Sequence, residues 1–196
     1  ISDTGNHRII KLSLNGSNQT HAIQLNQSLT PTYIYVDFEE NIYFTDEVYH
    51  TVRLFNSTLE TVDIVAGNGT NGSADNQLNT PYGIFVDQNR TVYVADCHNN
   101  RIMKWFSGAS VGIRVAGSTP TELRLPTHII VDNNGYMYIS ESGNARVTRW
   151  APNSTFGICI AACTGILGKS SNQLQGPHSL TFDSDGSLYV SDYGNN

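Results

Sequence analysis

The sequence predicts an all-β protein, a β-propeller of four-stranded antiparallel blades, and three observations lead there. One phrase of β-branched and aromatic residues recurs in fixed register along the 196 residues. Short polar turns separate the apolar runs, and no stretch carries a helical period. Units of four strands at a spacing of about 40–50 residues are the mark of blades set around an axis.

The phrase reads VDQNRTVYVADCHNNRI at 86–102, VDNNGYMYISESGNARV at 131–147 and FDSDGSLYVSDYGNN at 182–196. Aligned on the acidic residue that closes the second strand, it falls at Asp3, Asp46, Asp96, Glu141 and Asp192, with intervals of 43, 50, 45 and 51. An earlier Asp stands nine residues before, at Asp37, Asp87, Asp132 and Asp183. A Pro stands six before that, at Pro31, Pro81, Pro126 and Pro177, and a Tyr follows the earlier Asp by six, at Tyr43, Tyr93, Tyr138 and Tyr189. Four registers that never slip exclude coincidence.

Within one unit, residues 82–87 (YGIFVD) and 91–96 (TVYVAD) make the first two strands. A tight turn joins such strands, spelled NNG at 133–135 and SDG at 184–186. RIMKWF supplies the third strand and GIRVAG the fourth. The inner two are apolar on both pleat faces, as strands sandwiched between neighbouring sheets must be. The chain divides into a half blade at 1–27, blades at 28–77, 78–122 and 123–173, and a half blade at 174–196. It opens at Ile1 with no charged-then-apolar leader, and reads as a mature piece or an excerpt.

The pattern P-x-x-[IL]-x-[VF]-D, then a short turn and [VILM]-Y-[VFI]-[ATS]-[DE]-x-x-N-x-R-[IV], resembles the NHL repeat. Its last part is read in SDTGNHRII, ADCHNNRIM and SESGNARVT, and the resemblance spans essentially the whole chain. It implies a propeller of usually six blades, of which this chain holds about four blade equivalents. A four-bladed ring, closed by the two half blades in one mixed sheet, is the alternative. Blade two departs, with Tyr49 and Thr51 where the family has Asn and Arg, and Glu141 replaces the usual Asp. The motif residues are Asp3, Asn6 and Arg8; Asp46; Asp96, Asn99 and Arg101; Glu141, Asn144 and Arg146; and Asp192 and Asn195. Because the motif recurs from blade to blade, a structural role is expected, with the carboxylate satisfying turn N–H groups.

Composition narrows the function. A net charge of −6 and only 11 scattered Lys and Arg argue against nucleic acid as partner. No apolar run reaches the roughly 20 residues of a membrane span. Eight Asn-x-Ser/Thr triplets begin at Asn15, Asn18, Asn26, Asn56, Asn68, Asn71, Asn89 and Asn153. Chance gives roughly four, so the excess favours a secreted or cell-surface protein, with Asn56, Asn89 and Asn153 as leading N-glycosylation sites. Cys159 and Cys163 lie in CIAAC. Extended strand would part them by about 13 Å, so a disulfide there requires a bulge or tight turn. Three small buried thiols are the alternative, and Cys97 is left over if the other two pair.

One enzyme sharing the repeat, the peptidyl-hydroxyglycine amidating lyase, binds zinc through His residues directly after the Pro of its PH motifs. Here Thr32, Tyr82, Thr127 and His178 follow the repeat Pro, and only His178 matches. His128 stands one position further on, which strict alternation points to the other face. Zinc needs at least three protein ligands, so no metal, no cofactor and no enzymatic activity are expected. Thr32, Tyr82, Thr127 and His178 are expected instead to crown the channel mouth and bind a ligand. The expectation is an extracellular scaffold for a protein or small polar ligand. The alternative is the substrate- or RNA-binding region of a tripartite-motif ubiquitin ligase, which also carries this repeat; acidic charge and the Asn triplets weigh against it.

Overall fold

Strand pairing follows the repeat. The computed structural model describes residues 1–12, 20–26, 28–117 and 122–195. β1 (Ser2–Asp3), β2 (Arg8–Leu12) and β3 (Thr20–Gln24) form a three-stranded sheet. β4 (Pro31–Val36), β5 (Ile42–Asp46), β6 (Thr51–Asn56) and β7 (Thr61–Ala66) form the first sheet of four. β8 (Pro81–Val86), β9 (Val92–Asp96), β10 (Arg101–Trp105) and β11 (Ile113–Ala116) form the next. β12 (Pro126–Val131), β13 (Met137–Glu141), β14 (Arg146–Trp150) and β15 (Gly157–Ala161) make the third. β16 (Pro177–Phe182) and β17 (Leu188–Asp192) pair as a two-stranded sheet. Among the described residues the strands pair with their sequence neighbours in antiparallel register. The first and last sheets stay separate among the described residues, so the mixed sheet of a closed four-bladed ring is not formed.

The turns are built by the earlier Asp of each repeat. Oδ1 of Asp87 accepts from the N–H of Asn89 at 2.9 Å and of Thr91 at 2.8 Å. Asp37, Asp132 and Asp183 repeat the arrangement. One turn residue must take a left-handed backbone, and it is Glu40 (φ 63°), Arg90 (φ 59°), Gly135 (φ 81°) or Gly186 (φ 81°). Only two of the four copies use the residue for which that backbone costs nothing.

The core lies between the sheets. Ile9, Leu25, Ile42 and Phe44 fill the first interface. Tyr43, Val52, Ile84 and Val94 fill the second, and Ala95, Ile102, Ile139 and Trp150 the third. Each fully buried aliphatic side chain contributes about 1.5–3 kcal/mol, so stability is spread along the stack. The inner strands β5, β9, β10 and β13 bury at least four of their five residues, and β5 buries all five.

Bulges interrupt the ladders at two recurrent places. One lies at the start of each first strand, between Pro31 and Ile34, Pro81 and Ile84, Pro126 and His128, and Pro177 and Ser179. The other lies where the third strand meets the fourth, and in the third four-stranded sheet it leaves Ile160 unpaired between Cys159 and Ala161. With Ala162 in the left-handed region (φ 54°), it draws the Cα atoms of Cys159 and Cys163 to 5.6 Å, and the two are disulfide-bonded. The geometry the sequence demanded for this bond is present. Cys97 is buried and free. No helix among the described residues is long and apolar enough to cross a membrane.

Candidate functional site

Two sets of residues recur around the axis, and they do different work. The first is the clamp. Asp96, fully buried, accepts from Arg101 Nε at 2.7 Å, Asn99 Nδ2 at 2.8 Å and the Asn79 N–H at 2.7 Å. The remaining guanidinium nitrogens of Arg101 donate to the carbonyls of Ser73, Ala74 and Gln77, and Asn99 donates to Gly72 O. The motif therefore grips the loop that leads into its own sheet. Asp3 binds Arg8 and Asn6 likewise, and Asp192 binds Asn195 and the Gln175 N–H.

The two sequence departures have local explanations. Glu141 holds Asn144 and Arg146 as the Asp copies do, and its longer arm also takes the Thr148 hydroxyl at 2.9 Å. In blade two, Thr51 stands where Arg would be, and Arg53 lies 3.8 Å from Asp46 instead, with its guanidinium 5.8 Å from the Tyr49 ring centre. Asp46 compensates by accepting from Thr30 Oγ1 and from the N–H groups of Val48 and Tyr49.

The second set lies on the axis, at the end where the Pro residues start the first strands. Tyr33 Oη is 2.5 Å from His178 Nδ1 and 3.2 Å from His178 O, joining strands 145 residues apart. The Tyr33 ring packs 5.6 Å from His178, 5.7 Å from His128 and 5.9 Å from Tyr82. Tyr82 meets His178 edge-on at 5.6 Å, and the exposed Tyr193 ring lies 6.1 Å from His178. His128 Nδ1 accepts the Leu180 N–H at 3.3 Å. His128 can come this close because Gly83 faces it: a Cβ there would stand 2.5 Å from His128 Cδ2.

Of the four residues expected at the channel mouth, Tyr82 and His178 join this cluster, while Thr32 is half-buried and its hydroxyl donates to Thr30 O at 3.3 Å. Thr127 does not line the mouth. It is 4 % exposed, and its hydroxyl bonds to Ser140 Oγ at 2.9 Å and Pro177 O at 2.8 Å. The expected orientation of His128 is likewise corrected. The ladder is irregular between Pro126 and His128, and there Thr127 is buried while the His128 ring faces Tyr33 on the axis. Tyr33 and Glu47 escape the sequence reading. Tyr33 stands at the His128 position of its own repeat, so the series Tyr33, Gly83, His128 and Ser179 was the available signal. Glu47 follows a motif Asp and has no acidic counterpart in the other repeats.

The cluster is close to uncharged. Burial holds His128 down to about 4, with His178 beside it adding to the effect, and burial also lowers His178. Burial raises the Glu47 carboxyl, against the pull of Thr32 and His98. Burial, then Tyr82 and Glu47, raises the Tyr33 phenol, and burial pushes the Cys97 thiol up to about 12. Neutral imidazoles beside a raised carboxyl suit hydrogen bonding to an uncharged ligand. Among the described residues no group of three or more His, Cys, Asp or Glu is placed to hold a metal ion. At the other end of the first strands a cavity of about 1040 Å³ opens between Tyr35, Phe85 and Tyr93, rimmed by Asp37, Asp87 and Asp132.

The family model for the NHL repeat matches residues 174–196. No curated protein matches the chain by sequence. Solved structures do share its fold. The virginiamycin B lyase of Staphylococcus aureus superposes with a TM-score of 0.67 at 13 % identity, covering 97 % of this chain and 58 % of the lyase. A streptogramin B lyase gives 0.69 at 14 % identity, over 97 % of this chain and 57 % of that one. XC5397 of Xanthomonas campestris, a gluconolactonase, gives 0.69 at 17 % identity, over 97 % and 64 %. This chain thus spans under two thirds of each of these neighbours. All three are enzymes, which corrects the expectation of a chain without enzymatic activity: the fold it shares with them is compatible with catalysis. The stacked four-stranded sheets and the shared fold make this chain a β-propeller, and its terminal repeat, residues 174–196, matches the NHL repeat.

Proposed function

We propose that this propeller is an extracellular binding module whose recognition surface is the axial face formed by Tyr33, Tyr82, His128 and His178. The observation that carries the reading is the Tyr33–His178 contact, which converges side chains from the first strands of distant blades on one point. A group of neutral imidazoles and phenols, with ring faces partly exposed, offers hydrogen bonds and stacking surface without a fixed charge. That chemistry suits a polar small molecule or a loop of a partner protein. Extracellular placement is supported by the Cys159–Cys163 disulfide and by the exposure of Asn89 and Asn153, with Asn56 half-exposed.

The test is a ligand-observed NMR screen of neutral and charged small molecules and short peptides. It is run on protein secreted from eukaryotic cells and on its Tyr82→Ala/His178→Ala variant. Ligands of the axial face should lose binding in the variant while its melting temperature stays within a few degrees. Ligands that bind both proteins equally would move the recognition surface elsewhere. Secreted protein carrying no glycosidase-sensitive mass would remove the support for an extracellular site.

A further inference from the structure

The hydrogen bonds behind the axial face fix which nitrogen of each imidazole carries its proton. Tyr33 Oη has one hydrogen and two partners, His178 O at 3.2 Å and His178 Nδ1 at 2.5 Å. Both contacts become hydrogen bonds in one arrangement only: the phenol donates to the carbonyl, and Nδ1–H donates to the phenol oxygen. Were the phenol to donate to Nδ1, the carbonyl contact would hold no hydrogen. His178 therefore carries its proton on Nδ1, and its Nε2 is left as an acceptor. His128 is set the opposite way. The Leu180 N–H can only donate, so Nδ1 of His128 is the bare nitrogen and Nε2 carries the hydrogen. Neither Nε2 has a partner among the described residues. Burial keeps both rings uncharged, so each holds a single proton to be placed.

We propose that Tyr33 is a positioning residue that presets His178 as an acceptor beside His128 as a donor, and that the pair receives a hydroxyl group of a neutral, sugar-like ring. A hydroxyl accepts and donates at once, which is what one N–H and one bare nitrogen side by side require. Tyr82 and Tyr193 supply aromatic faces for the ring's C–H surface, as Tyr commonly does where one side of a contact is apolar and the other wet. An anionic sugar is disfavoured by the Glu47 carboxyl near Tyr33 and Tyr82. This inference rests on the axial face being the recognition surface.

The test has two arms on the full chain. Long-range ¹⁵N–¹H correlation spectra report the tautomer of each His directly. His178 should show the Nδ1–H form and His128 the Nε2–H form, and Tyr33→Phe should shift His178 toward Nε2–H while His128 is unchanged. In the second arm, methyl glucoside, galactoside and mannoside are titrated against glucuronate. At least one neutral glycoside should bind, weakened about tenfold by Tyr33→Phe, the loss of one well-placed hydrogen bond. An Nε2–H tautomer of His178 in the parent protein overturns the presetting. Binding of no neutral glycoside, or of glucuronate more tightly, overturns the ligand class. Either result leaves the axial face itself to be judged by the Tyr82→Ala/His178→Ala comparison. His178→Gln, whose amide oxygen can stand in for Nε2 as acceptor, should keep more affinity than His178→Ala if the acceptor role is correct.

Discussion

Acid should loosen this protein through His128 before its carboxylates are neutralised. The folded pKa of His128 is held at about 4, while the unfolded side chain titrates at 6.5. Between those values the unfolded chain binds a proton that the folded chain refuses, so stability is whole above about pH 7 and falls as pH drops through 6.5 toward 4. The full shift implies a loss of about 2 kcal/mol at pH 5. His128 keeps part of its surface in water, so about 1–2 kcal/mol is expected. That is a large share of the roughly 5–15 kcal/mol that hold a typical domain folded. Urea unfolding followed by tryptophan fluorescence, from pH 7.5 to 5, should show the midpoint falling by about 0.5–1 M. Two other groups of the cluster are shifted by burial as well. His178, also depressed by burial, adds to the slope, and Glu47, raised by burial, opposes it at the acid end. The contribution of His128 is therefore read as the difference from His128→Gln, which can still accept the Leu180 N–H and cannot titrate. Equal pH slopes in parent and variant would refute the account.

Two further outcomes test the packing. Gly83→Ala places a methyl 2.5 Å from His128 Cδ2 and 2.7 Å from Thr127 O, so it should cost about 1–3 kcal/mol and broaden the signals of the axial rings. An alanine variant with parental stability would show that β8 and β12 do not approach this closely. Arg101→Met strips the fully buried Asp96 of its cation and leaves the carbonyls of Ser73, Ala74 and Gln77 without their donor. A loss of about 3–5 kcal/mol is expected, with new protease cleavage within 72–77. Unchanged resistance of that loop would dissolve the clamp.

The repeat was legible because its residues answer backbone requirements. Asp87 must cap a turn, Asp96 must hold a loop, and each requirement recurs at the same place in every unit. The axial cluster was only half legible. Tyr82 and His178 were found by counting one residue from the Pro, but the same count lands on Thr127, which is buried. Thr127 and His128 exchange the roles that the count assigns them, whereas His178 keeps its role across the same irregularity, between Pro177 and Ser179. Tyr33 was hidden because it stands two residues after its Pro, and Glu47 because a single carboxylate leaves no periodic trace. The disulfide lay in between: its residues were evident, but the bulge at Ile160 that brings them together is a property of pairing with β14.

The backward reach of the clamp has a consequence for how such a chain can grow. Arg101 binds carbonyls 24 to 28 residues upstream, Arg146 binds Glu122 O 24 upstream, and Asn195 binds Gly168 O 27 upstream. A gene segment copied from Pro81 to Ala116 would contain a whole sheet, yet its guanidinium would meet foreign carbonyls. A segment copied from Gly67 to Ala116 carries the loop and the residues that grip it together. Tandem duplication that preserves folding therefore has its breakpoints just beyond each fourth strand, and grafts of a single blade into another propeller should be cut there as well.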